Sequence, residues 1–259
     1  MSVQKSWGEL QTMARACKIV VDTLGLLETA AQPGVTTKEL DKLAHDAIVK
    51  AGAKPAFLGY RGYPATLCIS VNEEIVHGIP GPKKLKDGDI VGLDLGCIVD
   101  GFYGDAARTV AVGRASAEAE RLMKATRESL FAGIDMCRPG NRIGDIGHAV
   151  QTHAESFGYS VVRDFVGHGI GTSLHEEPQV PNYGPAGRRE RLVPGMCLAI
   201  EPMVNLGRPE VEMLADGWTA VTRDGSLSAH FELSVAITEH GPWILSEPYP
   251  YAKSERAYA

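Results

Sequence analysis

The chain has 259 residues, of which 44% are hydrophobic and 22% charged, so it can bury one large core or two fused half-cores. Its formal net charge of −6 is spread along the sequence, which argues against a nucleic-acid surface built on phosphate neutralisation. The N-terminus lacks the apolar segment of a signal peptide, no stretch is apolar enough to cross a membrane, and five widely spaced cysteines indicate free thiols, so we expect a cytoplasmic protein.

The first elements in the chain are two predicted helices. A capping-box pattern at 6–9 opens an apolar helical repeat that Pro33-Gly34 ends. A second capping box at 36–39 opens an amphipathic helix that stops at Gly52. From about residue 66 to residue 112 alternating and β-branched runs replace the helical period and predict strands.

The next elements repeat this order. Ser116 begins a second pair of predicted helices, which is broken at Pro139-Gly140 and ends at Gly158, and strands and loops follow. The two Pro-Gly pairs lie 106 residues apart, which suggests an internal repeat.

The repeat also matches two acids. Asp94 aligns with Glu201 at an offset of 107 residues, so each half places a carboxylate at one strand position. We therefore predict one catalytic domain over 1–259, made of two pseudo-twofold halves at about 6–113 and 114–245. A short C-terminal tail would cover 246–259.

The stretch GLDLGCIVDGFYGD at 92–105 is apolar but carries Asp94 and Asp105. Asp100-Gly101 is a strong signal for a two-residue hairpin turn, in which both residues need positive φ. This turn places Asp94 opposite Ala107, with Asp105 as its diagonal neighbour on the same face, at about 7–8 Å or less.

Two ionised carboxylates on one buried face repel each other unless a proton or a cation compensates them. One acid could be protonated, or both could point to water. Glu201 in CLAIEPMV and Glu232 in HFELSVAI add two more acids in apolar strands. Four such carboxylates favour a divalent metal site.

Three histidines are candidates for the same site. His168 and His175 lie in VGHGIGTSLHEEP, which is too rich in glycine for a regular helix, so this is not an HExxH zinc site. His77 lies in IVHGIP, and the HGI triplet occurs in both halves. A lone histidine in such a loop is more often structural, but this repetition favours function.

Carboxylates with one imidazole suit Mn²⁺, Fe²⁺ or Co²⁺ better than a tetrahedral zinc site, although ligand type alone does not identify the metal. Bridging carboxylates would hold two ions about 3.5–4 Å apart and lower the pKa of a shared water. The natural reaction of such a site is hydrolysis.

The chain resembles the type I methionine aminopeptidases, the short bacterial members of the pita-bread metallopeptidases. The resemblance runs from about Ser6 to Ile244 and rests on specific motifs: VNEEIVHGIP, DGFYGD, GHGIGTSLHEEPQV, IEPMV and the strand of Glu232. It implies an α/β (α+β) fold in which helix-helix-strand units surround a central, curved, antiparallel sheet. It also implies five metal ligands: Asp94, Asp105, His168, Glu201 and Glu232.

The resemblance also implies individual roles. Asp105 and Glu232 would bridge two divalent ions, which are Co²⁺, Mn²⁺ or Fe²⁺, with Zn²⁺ also compatible. Glu201 would move the proton of the attacking water or hydroxide held between them. His175 would stabilise charge at the scissile peptide group, and His77 would contact the substrate near the leaving nitrogen.

A methionine pocket is implied by the segment FLGYRGYPATLC at 57–68 and by two residues opposite it. Phe57 and Leu174 depart from a commoner family pattern of Cys and Phe at these positions, and His230 stands where Gln is frequent. The expected pocket residues are Phe57, Tyr60, Tyr63, Cys68, Leu174 and Trp218.

The expected function is removal of the initiator methionine from nascent proteins and peptides whose second residue is small. The partners would be peptide N-termini, at the ribosome because the substrate arises there, with a monomeric chain and no nucleic acid or membrane. The alternatives are an Xaa-Pro aminopeptidase or prolidase of the same fold and a non-catalytic binding protein. Prolidase-type enzymes usually carry a sizeable N-terminal domain, whereas the first predicted helix begins here within about ten residues of Met1.

Overall fold

The computed structural model describes residues 4–250. Within this range the two predicted pairs of helices are present, and Ser6 and Thr36 cap the first two as expected, since their backbone N–H groups each donate to a glutamate three residues later at 2.7 Å. The α-helices are α1 (Trp7–Ala30), α2 (Thr37–Lys50), α3 (Ala117–Asp135) and α4 (Ile143–Ser156), and a short 3₁₀ helix covers Tyr60–Gly62.

Most of the remaining elements are strands. They are β1 (Lys54–Pro55), β2 (Leu67–Val71), β3 (Glu74–Val76), β4 (Ile90–Val99), β5 (Phe102–Ala111), β6 (Ser160–Val161), β7 (Gly167–Gly169), β8 (Glu176–Val180), β9 (Cys197–Ile200), β10 (Met203–Asn205), β11 (Val211–Met213), β12 (Ala220–Thr222), β13 (Ser228–His230), β14 (Glu232–Thr238) and β15 (Gly241–Ile244).

A nine-stranded sheet forms the centre of the molecule. Its main path runs β1-β4-β5-β14-β9-β7-β8, with β2 added beside β4 and β15 beside β14. Every pairing in it is antiparallel, as expected. Two three-stranded sheets, β13-β10-β6 and β11-β12-β3, complete the described strands. Strands from both ends of the sequence therefore meet in one sheet.

The β4–β5 hairpin has the predicted register. Asp94 lies opposite Ala107, and Asp105 lies opposite Gly96, one step along the diagonal from Asp94. The turn is made by Asp100 and Gly101, whose φ angles of 48° and 83° are both positive. The two acids therefore lie on one face.

The helices cover the other face of this sheet. Leu93 and Leu95 belong to the apolar cluster formed with α1 and α2, whereas Asp94 between them does not. α1 approaches β5 closely, since a Cβ at Gly104 would come within 2.5 Å of the Cys17 nitrogen. Helix packing on one face thus leaves the acids on the opposite face.

One prediction about the strands is wrong in detail, and another falls partly on residues that the structure does not describe. Glu201 was expected within a strand, but β9 ends at Ile200, so Glu201 is the first residue after that strand. Of the predicted tail at 246–259, residues 246–250 are described and the remainder lies outside the described residues. The bounds of the two halves stay a prediction. None of the helices in residues 4–250 combines the length and apolar character needed to cross a bilayer.

Candidate metal centre and substrate pocket

The four acids of the predicted metal site line one cavity of about 490 Å³, together with Glu176 and Glu177. Asp94 and Asp105 come from the β4–β5 hairpin, Glu232 is the first residue of β14, and Glu201 follows β9. The register explains this meeting, because β14 pairs with β5 so that Glu232 lies opposite Ala107. Residues separated by more than a hundred positions are therefore brought together by the antiparallel pairing.

Burial raises the pKa values of all four acids, and neighbouring carboxylates add to this effect for Asp105, Glu201 and Glu232. Burial raises the pKa of Asp94 to about 7. Burial also raises the pKa of Asp105 well above its ordinary range, and the charges of Glu232 and Asp94 add to this effect. The pKa values of Glu201 and Glu232 are raised for the same reason, by burial first and neighbouring carboxylates second. Such a cluster needs a compensating positive charge in order to ionise.

Hydrogen bonding inside the protein does not supply this compensation. Asp94 Oδ1, Asp105 Oδ1 and Glu232 Oε1 are buried and have no hydrogen-bond partner among residues 4–250. Ligand atoms of Asp105, His168 and Glu232 lie within 4.8 Å of one another. Oxygen ligands with one imidazole suit hard or borderline divalent cations. The donor set and its orphaned oxygens therefore fit the expected metal ions.

His168 is a neutral imidazole whose Nε2 is free to bind a metal ion. Its Nδ1 donates to the Gly169 carbonyl oxygen at 2.8 Å, because a carbonyl can only accept, and this leaves Nε2 with a free lone pair. Nε2 lies 3.5 Å from Glu201 Oε1. Burial, followed by the nearby His175, lowers the pKa of His168 to about 3, so the imidazole is neutral near pH 7.

His175 lies beside His168, with ring centroids 4.3 Å apart. Its Nδ1 shares a hydrogen bond of 2.7 Å with the hydroxyl of Tyr60. Partial burial, followed by the charge of Arg61, lowers the pKa of His175. A neutral imidazole with one nitrogen held by Tyr60 can use the other nitrogen toward a ligand in the cavity.

His77 also lines the cavity and has an unusual positive φ of 62°. Its ring meets Phe165 edge-on at a centroid distance of 5.3 Å. Burial, with a smaller effect from His175, lowers the pKa of His77 to about 4. The structure thus brings all three predicted histidines to one site.

His230 is a fourth buried histidine near the cavity. Its Nε2 finds no hydrogen-bond partner in the described part of the chain and lies 3.8 Å from Glu201 Oε2, so the carboxylate lies between the imidazoles of His168 and His230. Burial, followed by His77, lowers the pKa of His230 to about 3. The sequence marked this position only as a departure from a family pattern.

An apolar pocket adjoins the acidic cluster. Its walls are well packed, and the hydroxyl of Tyr63 donates to the Gly78 carbonyl at 2.8 Å. Cys68 lies opposite Asp94 in the β2–β4 pairing, and burial raises the pKa of its thiol, which is therefore neutral. All six expected pocket residues lie in one cluster: Phe57, Tyr60, Tyr63, Cys68, Leu174 and Trp218.

The cavity also has lining residues that sequence reasoning missed. Arg61, Glu177 and Gln179 are exposed at its wall, and Val166 lines it as well. Arg61 adopts a φ of 47° next to Tyr60 and places its guanidinium 5.5 Å from that ring. Positive φ at arginine has no sequence signal, so only the neighbouring glycines hinted at an irregular turn here.

The donor set on this antiparallel sheet is typical of a divalent-metal hydrolase. Comparison with known proteins gives the family. The sequence profile of Metallopeptidase family M24 matches residues 11–239. The chain therefore belongs to Metallopeptidase family M24.

Similarity extends over nearly the whole chain. A methionine aminopeptidase of Clostridium acetobutylicum is 53% identical over 247 residues, which cover 95% of this chain and 99% of that protein. The crystal structure of a methionine aminopeptidase from Thermotoga maritima matches with a TM-score of 0.94 and 46% identity, covering 96% of this chain and 100% of that one. These matches confirm the pita-bread fold and the expected family.

Prolidases share this fold at lower similarity. The prolidase from Pyrococcus furiosus matches with a TM-score of 0.77 and 22% identity, and the match covers 95% of this chain and 66% of that one. An identity this low supports a common fold alone. It therefore gives the prolidase alternative no support beyond architecture.

Proposed function

We propose that this chain is a methionine aminopeptidase, which removes the N-terminal methionine from peptides and nascent proteins. The proposal rests on one observation: the four carboxylates and the apolar pocket residues line the same cavity. The relatives at about half identity, which are named methionine aminopeptidases, support the same activity.

The proposed metal ligands are Asp94, Asp105, His168, Glu201 and Glu232. Asp105 and Glu232 are the two most buried acids of the set and adjoin each other across β5 and β14, which suits them to bridge two ions. Divalent ions held there, which we propose to be Co²⁺, Mn²⁺ or Fe²⁺, supply Lewis acidity and lower the pKa of a water. Zn²⁺ is compatible with the same donors.

Glu201 is the proposed proton carrier. Burial and the charges of Asp94 and Asp105 raise the pKa of its carboxyl, so that it holds a proton more readily than an exposed glutamate does. His168 and His230 lie on either side of the carboxylate. A proton taken by Glu201 can then be delivered to the leaving amide nitrogen.

His175 and His77 are proposed to handle the peptide. When Tyr60 donates to Nδ1 of His175, Nε2 carries the hydrogen and donates to the scissile carbonyl as negative charge develops there. His77 faces the same cavity and would orient the substrate near the leaving nitrogen. Both histidines have lowered pKa values and can act as neutral hydrogen-bond donors.

The specificity is proposed to arise from the shape of the pocket. Phe57, Cys68 and Leu174 are buried and would contact an unbranched apolar side chain. A thioether sulfur gains about 0.3–1.5 kcal/mol from contact with an aromatic ring. Preference for a small second residue is part of this proposal and follows from the similarity to the named relatives.

We further propose that the chain acts in the cytoplasm, as a monomer, on proteins leaving the ribosome. Its five cysteines are all buried and free of disulfides, which supports a reducing compartment. The substrate arises at the ribosome, which supports action there.

The test is peptide hydrolysis by purified protein with added Mn²⁺ or Co²⁺. We expect release of methionine from Met-Ala-Ser, slower release from Met-Leu-Ser, and no cleavage of an Xaa-Pro dipeptide. Glu201→Gln should lose this activity, whereas Glu210→Gln, at an exposed position, should retain it. Preferential cleavage of the Xaa-Pro dipeptide would overturn the proposal.

A further inference from the structure

We propose that Lys5 is a positioning residue for His175: its ammonium, paired with Glu176, holds the 170–176 segment that presents His175 to the substrate. This inference rests on the proposed role of His175. Lys5 does not line the cavity, whereas Glu176 and His175 do, so Lys5 would act through Glu176.

Lys5 is a buried charge. Its side chain is 4% exposed, and its Nζ lies 2.5 Å from Glu176 Oε2, although the two residues are 171 positions apart. Lysine is almost never buried to this extent without a partner, and breaking such a pair leaves an uncompensated charge. The position of Glu176 therefore depends on Lys5.

The backbone of Lys5 is fixed independently of this pair. Its N–H donates to the Gly195 carbonyl oxygen at 2.8 Å, and the next residue, Ser6, caps α1. A Cβ at Gly195 would come within 3.1 Å of the Lys5 carbonyl oxygen, so the two backbones pack closely. Lys5 is thus a fixed point from which a long side chain reaches the 170–176 segment.

Glu176 also holds the backbone of the residues just before it. Its Oε1 accepts hydrogen bonds from the backbone N–H groups of Thr172 at 2.8 Å and Ser173 at 3.2 Å. One carboxylate therefore binds Lys5 through one oxygen and closes the turn through the other. Leu174 and His175, the two residues inside this closed turn, are the ones that face the substrate pocket.

Gly171 makes room for the lysine. A Cβ there would come within 2.3 Å of Lys5 Cε and 2.7 Å of Glu176 Oε1. The Gly171 carbonyl oxygen accepts from the N–H of Tyr103 at 2.8 Å, which ties the start of the segment to β5. Any side chain at position 171 would therefore displace the Lys5–Glu176 pair.

The consequence concerns His175 rather than the metal ligands. Its imidazole is held by Tyr60 on one side and by the backbone next to Glu176 on the other. A shift of about 1 Å in such a group can cost about 100-fold in rate. The ion pair and hydrogen bonds of Lys5 and Glu176 described above involve none of the five proposed metal ligands, so we expect metal stoichiometry to survive loss of the pair. Because Glu176 also pairs with Gly169, the neighbour of His168, in the β7–β8 ladder, metal stoichiometry is measured for every variant.

The test is a double-mutant cycle between Lys5→Met and His175→Ala, with kcat and KM for Met-Ala-Ser, metal stoichiometry and melting temperature measured for each protein. We expect Lys5→Met to lower kcat by about 10- to 100-fold with unchanged metal stoichiometry. In the His175→Ala background the same change should alter kcat by less than about twofold, because its effect passes through His175. Equal losses in both backgrounds would overturn the inference.

Two further variants separate positioning from stability. Gly171→Ala keeps both charges but displaces Lys5, and it should lower kcat as Lys5→Met does when each protein is assayed well below its melting temperature. Lys18→Met, which breaks an exposed pair with Asp22 on the same helix, should change nothing. Full kcat in a folded Lys5→Met or Gly171→Ala protein would also overturn the inference. If the unaltered chain released no methionine, the proposed function itself would fail.

Discussion

Three features act on the Asp105 side chain: it is buried, it has two carboxylate neighbours, and no group in residues 4–250 donates a hydrogen bond to its Oδ1. Each of them makes the ionised form costly in the absence of a cation. The same three features favour a divalent ion strongly once it is bound. The residue therefore contributes to metal binding at the expense of the stability of the metal-free chain.

Asp105→Asn should lower methionine release by more than about 100-fold, since a neutral amide is a poor bridging ligand. The metal-free variant should unfold at a temperature equal to or above that of the unaltered chain, because one member of a repelling cluster has been neutralised. Calorimetric melting in the presence of a chelator and a peptide assay check the two parts. Asp100→Asn, in the exposed turn, is the control, and a strong loss of activity there would contradict this explanation.

Tyr60→Phe should lower kcat by about 2- to 10-fold, the range expected for loss of one hydrogen bond to His175. The ring remains, so the KM for a methionyl peptide should change little. Tyr63→Phe is the matched variant, because that hydroxyl donates to backbone carbonyls instead of a histidine. Tyr63→Phe should mainly lower the melting temperature, and steady-state kinetics with thermal denaturation distinguish the two effects.

At the scale of elements, the β4–β5 hairpin and α1 jointly place the acids. The hairpin aligns Asp94 and Asp105 on one face, and α1 packs against the other face, where Gly104 leaves no room for a side chain. Because strands alternate their side chains with period two, the helix contact at Gly104 fixes the direction of Asp105. A packing residue therefore determines the position of a ligand.

Gly104→Ala should destabilise the protein by about 1–3 kcal/mol, because its Cβ would approach the backbone of Ala16 and Cys17 within 3 Å. Gly25→Ala is the matched control, since Gly25 lies within α1 and a Cβ there meets nothing within 4 Å. The control should stabilise the protein by up to about 1 kcal/mol. Urea denaturation measures both, and equal effects of the two changes would contradict this account of the packing.

At the scale of the whole molecule, the four acids unite distant parts of the chain, and metal binding should be linked to proton release. Burial raises the pKa of Asp94 to about 7, so near pH 6 its carboxyl is largely protonated in the metal-free protein. A cation binds the ionised form, so binding must release that proton. Affinity should therefore increase as the pH rises through about 7.

Titration calorimetry with Mn²⁺ at about pH 6 and about pH 8 should give tighter binding at the higher pH. Asp94→Asn should bind more weakly and should lose the part of the pH dependence that belongs to this carboxyl. Buffers of different ionisation enthalpy measure the protons released. Affinity that does not change between the two pH values would show that the carboxyls are already ionised in the metal-free protein.

Much of the local structure could be predicted from the sequence. The capping boxes at Ser6 and Thr36 and the turn at Asp100-Gly101 act over two to four residues, and the structure confirms them. The hairpin register follows from its turn, because antiparallel pairing leaves no freedom once the two central residues are fixed. The four acids and three of the histidines in the cavity region were also predicted. Polar side chains in apolar or glycine-rich segments are costly to bury unless a ligand or partner compensates them.

Contacts between distant segments could not be predicted in the same way. Three contacts depend on how the sheet closes: the Lys5–Glu176 pair, the hydrogen bond between Tyr60 and His175, and the approach of His230 to Glu201. Sequence periodicity determines which face a residue occupies, and it carries no information about which distant side chain arrives opposite it. The sequence by itself thus determined the elements, their faces and the chemical type of the site, whereas tertiary packing alone decided which groups hold its reactive side chains in place.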